Sequence, residues 1–421
     1  MAIIGCHCYD EGFGDQGAGG AGYPWSAVGV LSPTRVDSGP QSRGGWRFST
    51  GDGGSLQADF WDSPVSGKVW YYFPFEGVSQ ADAVNTSYNI AYFHYQTAAA
   101  TGKVRAVWVY NTATTGHFRL EYHNGSAWTL IANGAAIALN DSGEPWYVRV
   151  EIDITPTTGR AAALSVNNGA SGGLSGSTGT TDLIAGTLAL LAGQLKGGGT
   201  LTWDAWEAFA NDTSGSGAQS AAMDYTGLSS KVHCFGNYPV SDVAGGVWAA
   251  VGNVGACSGD VYRAVDDPED TEDQAFDYAV ITGASGSDKD QEFEISDQDH
   301  ASAAIYGVSI YVEAGVPDSW VPHKILVAVP SESGSPTAYA GTQTGSTNNG
   351  RFLFLALTPS GNAWTKAKFN EIQVGVRRDS ASSNEQRCYM VCVSAVGINL
   401  ERPTQAAACP VSAFIPKVMY C

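Results

Sequence analysis

Taken two residues at a time, the segment from Trp146 to Thr155 separates into two rows. Trp146, Val148, Val150, Ile152 and Ile154 fall on one side, and Tyr147, Arg149, Glu151, Asp153 and Thr155 on the other. A repeat of two is the signature of a strand with one buried and one wetter face in an antiparallel sheet. The same repeat runs through Val69, Tyr71, Phe73 and Phe75, then Tyr88, Ile90, Tyr92 and His94, then Val104, Ala106 and Trp108. In the segment 117–134, Phe118, Leu120 and Tyr122 alternate with Arg119, Glu121 and His123. The Asn124-Gly125 pair that follows predicts a type I′ hairpin turn, because both residues tolerate positive φ. Residues 146–169 predict a second hairpin. A chain patterned this way is all-β.

At 421 residues the chain is long for one core, so two domains are expected. Hydrophobic residues make up 43% of it, enough to fill both, while only 15% are charged. The 52 glycines outnumber the 22 lysines and arginines, the balance of a protein with many turns and few long helices. The composition break at residues 211–230 divides the chain. The expected organisation is a jelly-roll domain over 1–212, a linker over 213–230, a second antiparallel β-sandwich over 231–403 and a C-terminal arm over 404–421. Strands of the second domain are expected in AIYGVSIYVEA, KILVAVP, RFLFLAL, EIQVGVRR and RCYMVCVSAV. The Gly/Ser/Thr-rich stretch at 167–200 contains the apolar patch DLIAGTLALLAGQL, expected as a short helix or a segment covering a loop.

A net charge of −19 repels phosphate backbones and anionic membranes, so nucleic-acid partners are not expected. No window approaches the roughly 18 apolar residues of a membrane span. The start, MAIIGCHCYDEGFGDQ, lacks a basic n-region and a long apolar run, so synthesis in a host cytoplasm without a signal peptide is expected. The eight cysteines are too sparse for a disulfide scaffold and are expected mainly as buried thiols. On a regular strand Cys388 and Cys392 share a face but stand about 13 Å apart, beyond disulfide reach.

The chemical motifs are few. Asp266, Asp267, Asp270 and Asp273 lie in the acidic run VDDPEDTEDQAFDY. Such a run offers oxygens to calcium, although it lacks the spacing of an EF-hand loop, and a solvated loop is the plainer reading. Asp288, Asp290, Glu292, Glu294, Asp297 and Asp299 form a second acidic stretch, read in the same way. No cofactor is otherwise expected. The seven histidines show no metal-site spacing, and no Walker, Rossmann or nucleophile-elbow motif is present. Tryptophan is dense in the first half. Most of it is expected in the core, with Trp25 and Trp128 near loops as candidate exposed platforms for a sugar ring. The apolar end PVSAFIPKVMYC offers Phe414, Ile415 and Met419 as candidate docking residues.

Glu151-Ile152-Asp153-Ile154 resembles the start of the E-x-D-x-x-E core of laminarinase-type retaining glycosidases. Thr155 and Pro156 follow where that family carries its acid, so the leaving group would have no proton donor. The alternative reading is a solvent-facing strand edge with Arg149 as a charge neighbour. Residues 1–212, with DEGFGD, RGGWRFSTG, the two hairpins and LTWDAWEAFA, resemble the concanavalin A-like (laminin-G-like) jelly roll. GDVYRAVDDPEDTEDQAFDY, IYGVSIYVEA and LTPSGNAWTKAKFNEIQVGVRR together resemble segments of tailed-bacteriophage virion proteins of the minor-tail and particle-surface type. This second resemblance implies a non-enzymatic structural component of a virion, partnered by other virion proteins and by copies of itself, and in contact with host-surface glycan. A soluble carbohydrate-binding protein is the first alternative, and a glycan hydrolase with an incomplete motif the second.

Overall fold

The computed structural model describes residues 2–8, 25–27, 34–36, 45–48, 55–61, 68–96, 101–124, 126–140, 145–153, 159–167, 173–177, 190–197, 199–205, 207–212, 233–237, 239–243, 248–251, 261–265, 278–281, 290–315, 323–344, 350–378 and 386–400. These residues are almost entirely strands in antiparallel sheets, as the period of two requires. The expected linker at 213–230 and arm at 404–421 lie outside them. Among the described residues the only α-helix is Lys366–Asn370, and no helix is long and apolar enough to cross a membrane.

Two sheets form the first sandwich. The nine-stranded sheet runs Leu174–Ser177, Ala161–Val166, Trp146–Asp153, Lys68–Ser79, Thr202–Ala205, Gly45–Phe48, Thr34–Val36. Glu207–Asp212 also pairs with Lys68–Ser79 and carries the strand Ala2–Cys8. The eight-stranded sheet runs Trp128–Asn133, Thr115–His123, Thr101–Thr112, Ser87–Gln96, Leu190–Lys196, Ser55–Trp61, Trp25–Ala27, with Ile137–Ala138 beside Thr115–His123. Val69, Tyr71, Phe73 and Phe75 point inward from one sheet and meet Val104, Ala106, Trp108, Phe118 and Leu120 from the other. Phe75 sits 5.2 Å from the Trp108 ring and 5.6 Å from that of Phe118. The indole N–H of fully buried Trp108 donates to Gln80 Oε1 at 2.7 Å, and Gln80 Nε2 donates in turn to the carbonyls of Thr112 and Thr115. A buried polar group is tolerated when bonded in this way.

The second sandwich packs a seven-stranded sheet, centred on Ala304–Gly315 and Gln386–Ile398, against a five-stranded sheet centred on Gln373–Arg378. Val308, Ile310, Val312, Val393 and Ala395 meet Phe293, Ile325, Val327, Val374 and Val376 in its core. Within the GDVYRAV segment, Val261–Ala264 forms a 3-10 turn whose backbone N–H groups at Val261 and Tyr262 donate to the Asp242 carboxylate. Val261 and Val265 enter the core, so this part of the motif builds structure. Two residues of the second half, Tyr311 and Cys392, belong instead to the first core, and Ala2–Cys8 lies beside His233–Asn237 and Ala304–Gly315. The two sandwiches therefore share a packed layer.

The short helix Lys366–Asn370 buries Phe369 and is capped by Thr365, whose Oγ1 accepts from Lys368 N at 3.2 Å. Its last turn is tied to the neighbouring loop by Lys368 Nζ, 2.6 Å from Glu332. Thr365→Ala is expected to cost about 1 kcal/mol, the usual value of a lost cap, read as a small fall in the denaturant midpoint at unchanged slope.

Several sequence expectations are corrected. Leu190–Lys196, expected as helix or loop cover, is an interior strand between Ser87–Gln96 and Ser55–Trp61. The Asn124 hairpin has a longer loop than a type I′ turn: Trp128 pairs with His123, and the Asn124 side chain accepts from Ser126 N and Ala127 N. Asp290, Glu292 and Glu294, expected in a loop, lie on the strand Asp290–Ile295, where Asp290 is paired with Arg377 and Glu294 accepts from Ser241. Glu151 is on an interior strand, not an edge. Cys388 and Cys392 are both buried thiols, but a bulge at Glu313/Ala314 sends them to opposite faces, Cys388 into the second core and Cys392 into the first.

Candidate functional site

The outer face of the eight-stranded sheet carries a cluster built by cross-strand register. Thr101–Thr112 sets Arg105 opposite Tyr92 on one flank and Glu121 on the other. Alternation along Thr115–His123 then adds Arg119 and His123 to the same face, and Trp128 pairs with His123 at the sheet margin. Tyr92 reaches this face because of a bulge. Between Asn89 and Ala91 the register slips by a residue, so Ile90 and Ala91 both enter the core and Tyr92 turns outward. This corrects the expectation that Tyr88, Ile90 and Tyr92 share one face; an extra residue inverts every side chain beyond it.

Glu121 anchors the cluster. It is buried at 7% exposure, and an isolated carboxylate there would be costly. Two guanidinium groups bracket it. Arg105 Nε donates to Oε2 at 2.7 Å, and Arg119 Nε lies 2.8 Å from Oε1. Arg119 Nη2 also donates to Ser87 Oγ at 2.7 Å. Held this way, the Arg105 guanidinium carbon lies 4.0 Å from the centroid of the Trp128 ring and over it, a cation–π contact. Tyr92, at 5.6 Å, and His123, edge-on at 5.2 Å, flank the same indole. With the guanidinium against it, Trp128 remains partly exposed at the sheet margin. Leu130, two residues along the same margin, is half exposed. The result is a fixed aromatic plate over an ion triplet, rimmed by polar groups. Nearby, burial and the Arg119 charge hold the His117 imidazole below its ordinary pKa, which favours the neutral ring.

Of the residues singled out from sequence, Trp128 falls in this cluster. Trp25 begins a strand at the opposite margin of the same sheet, so the two are not brought together. Asp266, Asp267, Asp270, Asp273, Phe414, Ile415 and Met419 lie outside the described residues. Among the described residues no group of three or more His, Cys, Asp or Glu side chains could hold a metal. Arg105, Glu121, Arg119 and Tyr92 were missed by sequence reasoning. Alternation places Arg119 and Glu121 outward, but nothing local pairs them with Arg105.

The outer face of the nine-stranded sheet carries the other notable groups. Glu151 accepts from the Trp70 indole N–H at 2.6 Å, and Trp70, Tyr72 and Tyr147 on these two paired strands are buried. Further along, Glu76, Asp204 and Arg47 form a row across three strands.

No protein-family model matches the chain, and no similar sequence is found among curated proteins. Similar solved structures include the carbohydrate esterase vb_24B_21 from the Shiga toxin-encoding bacteriophage phi24B (11% identity, covering 51% of this chain and 99% of that one, TM-score 0.33). Others are the carbohydrate recognition domain of Emp47p (13% identity, 45% and 88% covered, TM-score 0.28) and the Ca2+/Man2-bound exoplasmic/lumenal domain of VIP36 (9% identity, 52% and 93% covered, TM-score 0.31). Carbohydrate-recognising and carbohydrate-active proteins stand among these neighbours. At such identities and scores the likenesses carry no argument about this chain's ligand or chemistry.

Proposed function

We propose that this chain is a non-enzymatic surface component of a tailed-phage particle that contacts host-surface glycan through the Trp128 face of its first sandwich. The observation that carries the glycan reading is the Trp128 plate itself. Its ring is fixed from below by Arg105, which is held by Glu121, itself braced by Arg119. Sugar rings present a C–H face that packs on such a plate, while rim hydroxyls find the polar side chains around it. A preorganised ring binds without the entropy cost of being ordered. Single contacts of this size are weak, and display in many copies would raise their effective strength.

Binding rather than hydrolysis is supported by Glu151, which is committed to the Trp70 indole and has no acid three residues beyond Asp153. The particle reading is supported by the resemblance of three segments between residues 259 and 378 to virion proteins.

A glycan array probed with the multimerised full chain tests the first part. Specific signal is expected, and Trp128→Ala should weaken it at least about tenfold, the cost of truncating a central aromatic anchor. Trp128→Phe should retain part of it. An array silent for the multimer, or unmoved by Trp128→Ala, would refute the glycan reading. Immuno-gold microscopy of a phage lysate tests the second. Regular labelling of heads or tails is expected; soluble protein with unlabelled particles would leave a free carbohydrate-binding protein in its place.

A further inference from the structure

Three charged side chains line up across the nine-stranded sheet at the margin opposite Leu174–Ser177. Glu76 on Lys68–Ser79 is the direct neighbour of Asp204 on Thr202–Ala205, and Asp204 of Arg47 on Gly45–Phe48. Arg47 gives both arms of its fork to Asp204, Nε to Oδ1 at 2.9 Å and Nη2 to Oδ2 at 2.8 Å. Neither of these bonds goes to Glu76, whose buried Oε2 has no hydrogen-bond partner among the described residues. Two carboxyls thus compete for one guanidinium. The arrangement is comfortable only while Glu76 carries a proton.

The other charges near this row do not relieve it. On the Trp146–Asp153 strand, Arg149 stands opposite Tyr72, displaced along the sheet from Glu76. On the opposite flank the next charged group, Glu207, is another buried carboxyl, set opposite Cys8. The strand that Arg47 anchors also supplies Phe48, which stacks on Trp203 at 4.5 Å, so the margin is continuous with the core.

We propose that the Glu76–Asp204–Arg47 row is a proton-sensitive clasp: with Glu76 protonated it holds Gly45–Phe48 and its neighbour Thr34–Val36 on the sheet, and ionisation of Glu76 loosens that margin. The electrostatics agree with the geometry. Burial, helped by Asp204 and opposed by Arg47, pushes the Glu76 carboxyl up to about 7 from its ordinary 4.5. The closed margin therefore keeps a proton that the opened margin has already released between those values. Closure is at full strength below that window, weakens as pH rises through it, and levels off above about 7.

Native-state amide hydrogen exchange of the full chain at pH 5.5 and pH 8, corrected for the intrinsic exchange rate, tests the clasp. The opening constant for the amides of Gly45–Phe48 is expected to rise about tenfold between the two, a figure kept small because water reaches Glu76 and screens it. Amides of Gln373–Arg378, in the other sandwich, should show no such change. Glu76→Gln should keep the margin protected at both pH values. Equal protection of Gly45–Phe48 in the wild type at the two pH values would overturn the proposal. So would a change shared equally by Gln373–Arg378, or a pH dependence that survives in Glu76→Gln. The wild-type comparison decides even if the variant does not fold.

Discussion

Trp203→Ala is expected to destabilise the first sandwich by about 4 kcal/mol, in the middle of the usual range for loss of a buried aromatic. Trp203 is fully buried on the inner face of Thr202–Ala205. Phe48 stacks on it at 4.5 Å and nearly parallel, Phe75 lies at 5.3 Å and Phe73 at 6.3 Å. Removing the indole leaves a cavity lined by three phenyl rings whose backbones belong to sheet strands and cannot collapse inward. For a unit of this size the loss corresponds to a fall in melting temperature of roughly 10 °C. Trp203→Phe, which keeps part of the stack, should lose less than half as much. Differential scanning calorimetry of the three proteins decides the matter; a fall under about 3 °C for the alanine variant would mean that the site relaxes freely, against the usual cost of such cavities.

A comparable effect is expected from adding one carbon to the second sandwich. Gly375 sits on Gln373–Arg378 between two neighbouring strands, and a Cβ there would stand 1.9 Å from the Gln291 carbonyl oxygen and 2.7 Å from Glu292 Cα. Both obstacles are backbone, so a rotamer change cannot relieve them. Either the central strand or its partner must move, and both are packed into the core by Val374, Val376 and Phe293. Overpacking of this kind costs about 3 kcal/mol or more. Gly375→Ala should therefore sharply reduce soluble yield or lower the unfolding midpoint. Gly334→Ala is the matched control: a Cβ there meets nothing within 4 Å, and the change should stay within about 0.5 kcal/mol. Comparable midpoints for the two variants would show that the close approach at Gly375 is not present in solution.

How much of this was legible in the sequence depends on where the period of two stayed intact. Val148, Val150 and Ile152 occupy the core face that alternation assigns them, as do Phe118 and Leu120. Alternation fails at bulges, because a single extra residue leaves no local trace. For that reason Tyr92 was assigned to the wrong face, and Cys388 and Cys392 to a shared one. Leu190–Lys196 was misread because its apolar residues follow a Gly/Ser/Thr-rich stretch and do not alternate cleanly. Of the candidate site, Trp128 was recognisable as an aromatic close to a turn. Its supports were not, since Arg105 and Glu121 are sixteen positions apart and meet only through strand register. The Glu76 row was invisible on the same ground: its members come from three strands far apart in the chain.

The layer shared by the two sandwiches bears on how such a protein could be reshuffled in evolution. Tyr311 and Cys392, encoded late in the chain, fill space among side chains encoded early, and the opening strand Ala2–Cys8 lies against the later half. A recombination event that exchanged only the front sandwich, to acquire a new recognition face, would import a hole or a clash where those two side chains enter. On the proposed glycan reading, diversity in recognition is therefore easier to gain by substitution around Trp128, on the opposite side of the eight-stranded sheet from the core, than by swapping a whole sandwich. The heritable cassette is the fused pair.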